Sequence, residues 1–269
     1  MLARFVSPAV VAGSLAVLLA PRAMASAGAK LSSTPGEEPP PACPPGMIEI
    51  EGEFCPQAEQ VCTRLVDPKH PEMDRCAEYA PTGRCVGTPV PKHFCIDKYE
   101  WPNQPGVKPD IAMDWYEAGK GCRAIGKRLC TDTEWTLACE GQERLPFPYG
   151  YVRNAEACNI DRRYIVPDEQ KWATPAGRAE EIKRLDQRDP SGARDSCVSP
   201  YGVYDMTGNV DEWVVNERGK EHEEPFVSGL KGGYWGPVRD RCRAMTTAHN
   251  QWHTGYQIGF RCCEDVPGR

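Results

Sequence analysis

The sequence predicts a mixed helix-and-strand chain with long irregular connections, stapled by disulfides. Three observations lead there. Two segments carry helical periodicity with capping residues, the apolar runs elsewhere suit only short strands, and fourteen cysteines occur without one C-x-x-C pair. At 269 residues and 40% hydrophobic, the chain can bury one large core, or a domain with a small appendage.

The first segment, MLARFVSPAVVAGSLAVLLAPRAMASA, opens with Arg4, runs apolar from Phe5 to Ala20 and ends in small residues around Ala23-Met24-Ala25. It reads as a cleaved secretory signal over residues 1–25. An uncleaved anchor is disfavoured because Pro8 and Gly13 interrupt the run, which falls short of the roughly 20 residues a span needs. No cysteine follows until Cys43, so a lipid anchor is disfavoured too. Secretion, or export to a periplasm, explains the even cysteine count, because disulfides persist in an oxidising compartment. Zinc-ribbon and thioredoxin-like chemistry lack their spacing. Losing Arg4 and Arg22 with the signal takes the net charge from −6 to −8, which argues against a nucleic-acid or anionic-membrane partner. No membrane span is expected after cleavage.

Residues 26–46, rich in Pro, Ser and Gly, read as a flexible linker. Residues 47–95, with Cys43 just before them, form a cysteine-rich extension with few apolar residues, expected to be held by bridges rather than by burial. The main domain is expected over 96–265. In DWYEAGKGCRAIG, Trp115, Ala118, Cys122 and Ile125 recur at helical steps between Asp114, which can cap the start, and Gly126 at the end. CTDTEWTLACEG predicts a second helix, with capping-box spacing between Thr131 and Glu134. Pro146 to Trp172 and AEEIKRLDQRDPSGARDS are punctuated rather than periodic, and little regular structure is expected there. Candidate strands are Gly202 to Met206, Trp213 to Val215, Phe226 to Tyr234 and Tyr256 to Cys262.

The stretch SPYGVYDMTGNVDEWV sets Asp205 and Glu212 on either side of a Gly-Asn turn. Two carboxylates around a turn that exposes carbonyls suit a hard cation such as calcium; a solvated acidic turn is the other reading of that spacing.

GKRLCTDTEWTLACEG, YGVYDMTGNVDEWV, LKGGYW and IGFRCC occur in an order that resembles the formylglycine-generating enzyme, or sulfatase-modifying factor, family, over about Met47 to Cys263. The resemblance implies a compact, loop-rich α+β fold related to C-type lectin domains, with little regular structure. It implies a structural calcium held by the side chains of Asp205 and Glu212 and the carbonyls of Gly208 and Val210. A second calcium site would begin at Asn159-Ile160, its other ligands unmatched because Arg162 to Ser196 departs from the family pattern. The resemblance also implies disulfides Cys122–Cys262 and Cys139–Cys242. Cys158 and Cys197 span the long connection and are expected to bridge it, leaving Cys130 for Cys263; sequence alone does not settle connectivity.

Active members of that family oxidise a sulfatase cysteine to formylglycine, using oxygen and copper(I) held by two cysteines. Here KGGYWGPVRDRCRAM has no cysteine from Tyr234 to Arg241, its one thiol, Cys242, matches the structural bridge, and Asp211 replaces a family tryptophan. Copper is not expected, and the chain reads as a non-catalytic binding module for a protein, peptide or glycan ligand of the cell envelope. A family enzyme with a rearranged site, for example around Arg241 and His249, is the alternative. Tyr234, Trp235, Arg239, Arg241, Arg243, His249, Trp252 and His253 fall in the segment that lines the substrate groove in the resembled enzymes. Aromatic faces beside arginines suit peptide or carbohydrate recognition, while core packing and ion pairing explain the same residues equally well. His249 and His253, four apart, would align two imidazoles for a metal on a helix, but their flanks read as loop.

Overall fold

The computed structural model describes residues 42–217 and 227–266. The predicted signal, most of the linker and Phe226 lie outside them.

The chain runs through β1 (Met47–Phe54), β2 (Ala58–Glu59), β3 (Cys62–Leu65), β4 (Cys76–Tyr79), β5 (Arg84–Cys85) and β6 (Val90–Asp97), then α1 (Trp115–Ala124), β7 (Arg128–Leu129) and α2 (Asp132–Glu140). It continues with α3 (Glu169–Trp172), α4 (Pro175–Leu185), β8 (Asp211–Val215), β9 (Ser228–Lys231), β10 (Met245–Thr246), β11 (Ile258–Phe260) and β12 (Cys262–Asp265). The result is the α+β, loop-rich architecture expected.

Both forecast helices form, and each begins with a reciprocal cap. Asp114 accepts from Glu117 N at 2.8 Å while Glu117 accepts from Asp114 N at 3.0 Å; Thr131 and Glu134 do the same at 3.3 and 2.9 Å. Each cap satisfies otherwise orphaned N–H groups, worth about 1 kcal/mol. Trp135, Leu137, Ala138 and Cys139 of α2 are all fully buried, so this helix crosses the core instead of lying on it.

The main sheet has the order β1-β6-β12-β7, antiparallel throughout, and a second has the order β10-β9-β8-β11, parallel only between β8 and β11. The ladder from Met47 opposite Asp97 to Phe54 opposite Val90 makes β1 an edge of the main sheet, where Ile50 and Phe54 join Phe94 and Ile96 in the core. Thus part of the 47–95 stretch is anchored by burial as well as by bridges, and the boundary at residue 95 falls inside β6. Seven disulfides take up every cysteine: Cys43–Cys95, Cys55–Cys85, Cys62–Cys76, Cys122–Cys262, Cys130–Cys263, Cys139–Cys242 and Cys158–Cys197.

Two expectations need correction. Gly202 to Met206 is not a strand, because Gly202 (φ +91°) and Asp205 (φ +58°) adopt left-handed backbone that breaks an extended run. The two stretches read as irregular connections hold α3 and, from Ala179 on, most of α4, which starts upstream at Pro175. Thr174 caps it by accepting from Gly177 N at 3.1 Å, and Pro175 occupies a first-turn position where no N–H is missed. The buried face of α4 consists of Leu185 and Glu181, so it shows little apolar periodicity; Glu181 is neutralised by Arg184 at 2.6 Å.

Candidate functional site

The chain leaves the second sheet at Phe260 and enters the main sheet at Cys262. The residue between them, Arg261, is buried and points its guanidinium at Glu212 of β8, with both contacts at 2.7 Å. It also donates to the carbonyls of Tyr204 (2.9 Å) and Asp97 (3.3 Å), while Trp135 Nε1 donates to Glu212 at 2.8 Å.

Around this pair lie two more buried acids. Glu100 receives Asn209 Nδ2 at 2.7 Å, Ser191 Oγ at 3.0 Å and Val210 N at 3.3 Å, and Asp205 receives Gly192 N at 2.7 Å. Burial, then the charges of Asp205 and Glu212, holds the Glu100 carboxyl well above the usual range, and burial pushes Asp205 up to about 6. Three buried carboxylates face one guanidinium in this cluster.

The turn closes onto the Asn159-Ile160 pair. Asn209 N donates to Asn159 O at 3.0 Å, and Asn159 Nδ2 donates to Asn209 Oδ1 at 3.0 Å. A Cβ on Gly208 (φ +78°) would meet Asn159 O at 2.4 Å, so the turn needs glycine for its backbone angle and for its closeness. The residues expected for two separate calcium sites are therefore neighbours. Oxygen donors and an excess of buried negative charge suit a hard divalent cation, but both oxygens of Glu212 already accept from Arg261, and one of them from Trp135 as well.

A groove opens beside Asp211, just past the turn. One lobe, about 360 Å³, is lined by Asp211, Tyr234, Arg239, His249 and Gln257 among others; a second, about 510 Å³, shares Tyr234, His249 and Gln257 and adds Trp172, His253 and Tyr256. Burial pushes the Asp211 carboxyl up to about 7, against a hydrogen bond from Gly233 N and the charge of Arg239. The rings of His249 and His253 stack at 3.9 Å and 8°, and burial lowers both pKa values, that of His253 further through His249. They sit in a loop, with His253 N donating to Asn250 O at 3.0 Å.

Of the eight groove candidates, Tyr234, Arg239, His249 and His253 line these lobes. Trp235 instead packs at 1% exposure with Val210 and against the rings of Tyr234 and Tyr256. Arg241 turns away to Asp74 (2.7 Å) and the Tyr79 hydroxyl (3.2 Å), and Arg243 makes two bonds of 2.5 and 2.6 Å to Glu140; these acids draw both arginines out of the groove. Trp252, 63% exposed, rests on Tyr116 at 4.3 Å. Sequence reasoning missed Glu100 and Arg261, whose only local signals are the YE after β6 and the FRC step between sheets. It also missed Trp172, Tyr256 and Gln257 in the groove, and noticed Asp211 only as a replaced tryptophan.

Residues 92–266 match the family model described as the sulfatase-modifying factor enzyme 1-like domain. The formylglycine-generating enzyme of Mus musculus is 28% identical over 177 residues, 58% of this chain and 44% of that protein. The inactive C-alpha-formylglycine-generating enzyme 2 of Mus musculus is 26% identical over 192 residues, 66% of this chain and 57% of that one. The serine/threonine-protein kinase pkn1 of Chlamydia caviae is 27% identical over 174 residues, 59% of this chain. The chain spans 24% to 57% of the length of these curated relatives. Among solved structures, PvdO from Pseudomonas aeruginosa (17% identity, TM-score 0.53, 82% of this chain and 94% of that one) and CarF (14%, 0.52, 82% and 98%) share the fold.

Proposed function

The chain belongs to the sulfatase-modifying factor family, and from that premise we propose that it is an exported, calcium-stabilised member whose groove binds a protein, peptide or glycan ligand of the cell envelope without oxidising a sulfatase cysteine. The observation that carries this reading is the bonding of Cys242 to Cys139, with no cysteine between Tyr234 and Arg241. Copper(I) is selected by soft thiolates, and every cysteine of the chain is committed to a disulfide. Asp211, Arg239, the tyrosines and the histidine pair offer hydrogen bonds and ring faces for recognition instead.

Export is supported by seven disulfides, which need an oxidising compartment; among the described residues no helix is long and apolar enough to cross a membrane. Calcium would be held by Asp205 and Glu212 with the carbonyls of Gly208 and Val210, and by Asn159-Ile160 behind the turn. Its contribution is positive charge amid buried carboxylates.

One observation favours a second reading, a family enzyme with a rearranged site. A carboxyl raised to about 7 beside tyrosine hydroxyls is suited to proton transfer. Incubation of the oxidised protein with copper and a cysteine-containing sulfatase peptide, followed by mass spectrometry for the aldehyde, tests the main reading. No aldehyde is expected, and turnover would overturn it.

A further inference from the structure

On the solvent face of the β1–β6 ladder, far from the turn in sequence, Glu51 stands directly opposite His93, and Glu49 lies one side-chain step along the same face. Among the described residues, these three bring one potential ligand atom each to within 4.8 Å of one another. His93 Nε2 meets Glu49 Oε1 at 2.6 Å, with 15% of the His93 side chain and 42% of the Glu49 side chain exposed. We propose that Glu49, Glu51 and His93 form a binding site for a divalent transition cation of the zinc class.

The His93–Glu49 contact alone would be an ordinary ion pair and would not call for Glu51. Two glutamates of like charge gain by spreading into solvent; here both carboxylates converge on one imidazole, the arrangement a cation stabilises. Nitrogen with carboxylate oxygen favours zinc-class ions over calcium or magnesium, and three protein donors leave positions for water. The backbone holds the donors in place, because both strands are eight residues long and Cys95, opposite Glu49, is bonded to Cys43. His93 Nδ1 is buried without a hydrogen-bond partner, while Nε2 faces the glutamates. An ion here would tie the edge strand β1 to β6, and its binding would raise the stability of the whole fold.

Zinc is the probe. Calorimetric titration of the full oxidised protein, with calcium in excess to occupy hard-cation sites, should give one zinc per chain at this face and a raised Tm. His93→Ala and Glu51→Gln should each weaken binding by about tenfold or more. Glu51 is exposed, so its amide variant tests the site without threatening the fold. Glu53→Gln on the same strand and His253→Ala in the groove should leave this zinc in place. The proposal is overturned if no zinc binds, if the stoichiometry survives both His93→Ala and Glu51→Gln, or if His253→Ala removes it. None of these results depends on what the groove binds.

Discussion

Arg261 grips Glu212 with two 2.7 Å contacts at a point where neither side chain meets solvent. The arginine sits at the single residue separating β11 from β12, and the glutamate lies on β8, which pairs with β11. Its further bonds to the carbonyls of Tyr204 and Asp97 make one guanidinium the joint between the two sheets. Breaking a buried pair by removing one member costs about 3–5 kcal/mol, because the other charge is stranded. Arg261→Met should lose that much in guanidinium denaturation of the oxidised protein, since it leaves Glu100, Asp205 and Glu212 together without a cation. A loss below about 1 kcal/mol would mean that the acids are neutralised some other way.

The same cluster predicts an inverted pH response in the calcium-free protein. Asp205 is raised to about 6 when folded, from 3.8, and Glu100 is raised as well. A carboxyl whose pKa rises on folding contributes stability that is full below its unfolded value and is lost as pH climbs through the folded value. For Asp205 that window runs from about pH 4 to 6 and is worth about 3 kcal/mol. In chelator, wild type should therefore lose stability relative to Asp205→Asn between these pH values, and asparagine tolerates the left-handed backbone at 205. Calcium, by favouring the ionised acid, should reverse the difference. Parallel curves for the two proteins in chelator would remove Asp205 from the argument.

How far the sequence reveals this arrangement depends on how local each signal is. The starts of α1 and α2 are written within four residues, as Asp114 with Glu117 and Thr131 with Glu134, and both helices form as read. By contrast, α4 buries a glutamate and a leucine, so hydrophobic periodicity does not find it, and its one local signal is the Thr174-Pro175 start. The left-handed angle at Asp205, which breaks an apparent strand, has no compositional mark. Partners brought from far along the chain are equally silent: Glu100 meets Asn209 across 109 residues, and Glu140 takes Arg243 across 103. A run of aromatic and basic residues therefore looked like one groove wall, whereas acids elsewhere had already claimed two of its arginines.

The Cys139–Cys242 disulfide, next in sequence to the stretch from Tyr234 to Arg241 that lacks cysteine, should have a purely structural role. Cys139–Cys242 spans 103 residues, and the Cys242 carbonyl accepts from buried Lys231 Nζ at 2.8 Å. Replacing both cysteines by alanine should cost about 4–5 kcal/mol through the freed unfolded chain. The native wild-type protein should show no alkylatable thiol before reduction. A reactive thiol at Cys242 under native conditions would reopen the redox reading of the groove.

Asp211 is the group through which groove occupancy should feel pH. Its carboxyl lies beside Tyr234, with the charge of Arg239 partly opposing the effect of burial, and it is raised to about 7. The two groove histidines respond the other way, since burial lowers them, so near neutrality the carboxyl is the groove group that changes charge. Carbon-13 chemical shifts of the labelled aspartates should show one carboxyl with a midpoint near 7 that is missing in Asp211→Asn. Arg239→Met, which removes the opposing cation, should move that midpoint upward. The sign for stability follows from the raised value: wild type loses stability through about pH 7 and Asp211→Asn does not. A ligand bearing a positive charge should bind more tightly above this midpoint, and one accepting a proton from the acid more tightly below it. If the shift of Asp211 titrates near pH 4 in wild type, the groove is wetter than its geometry implies and both consequences fall with it.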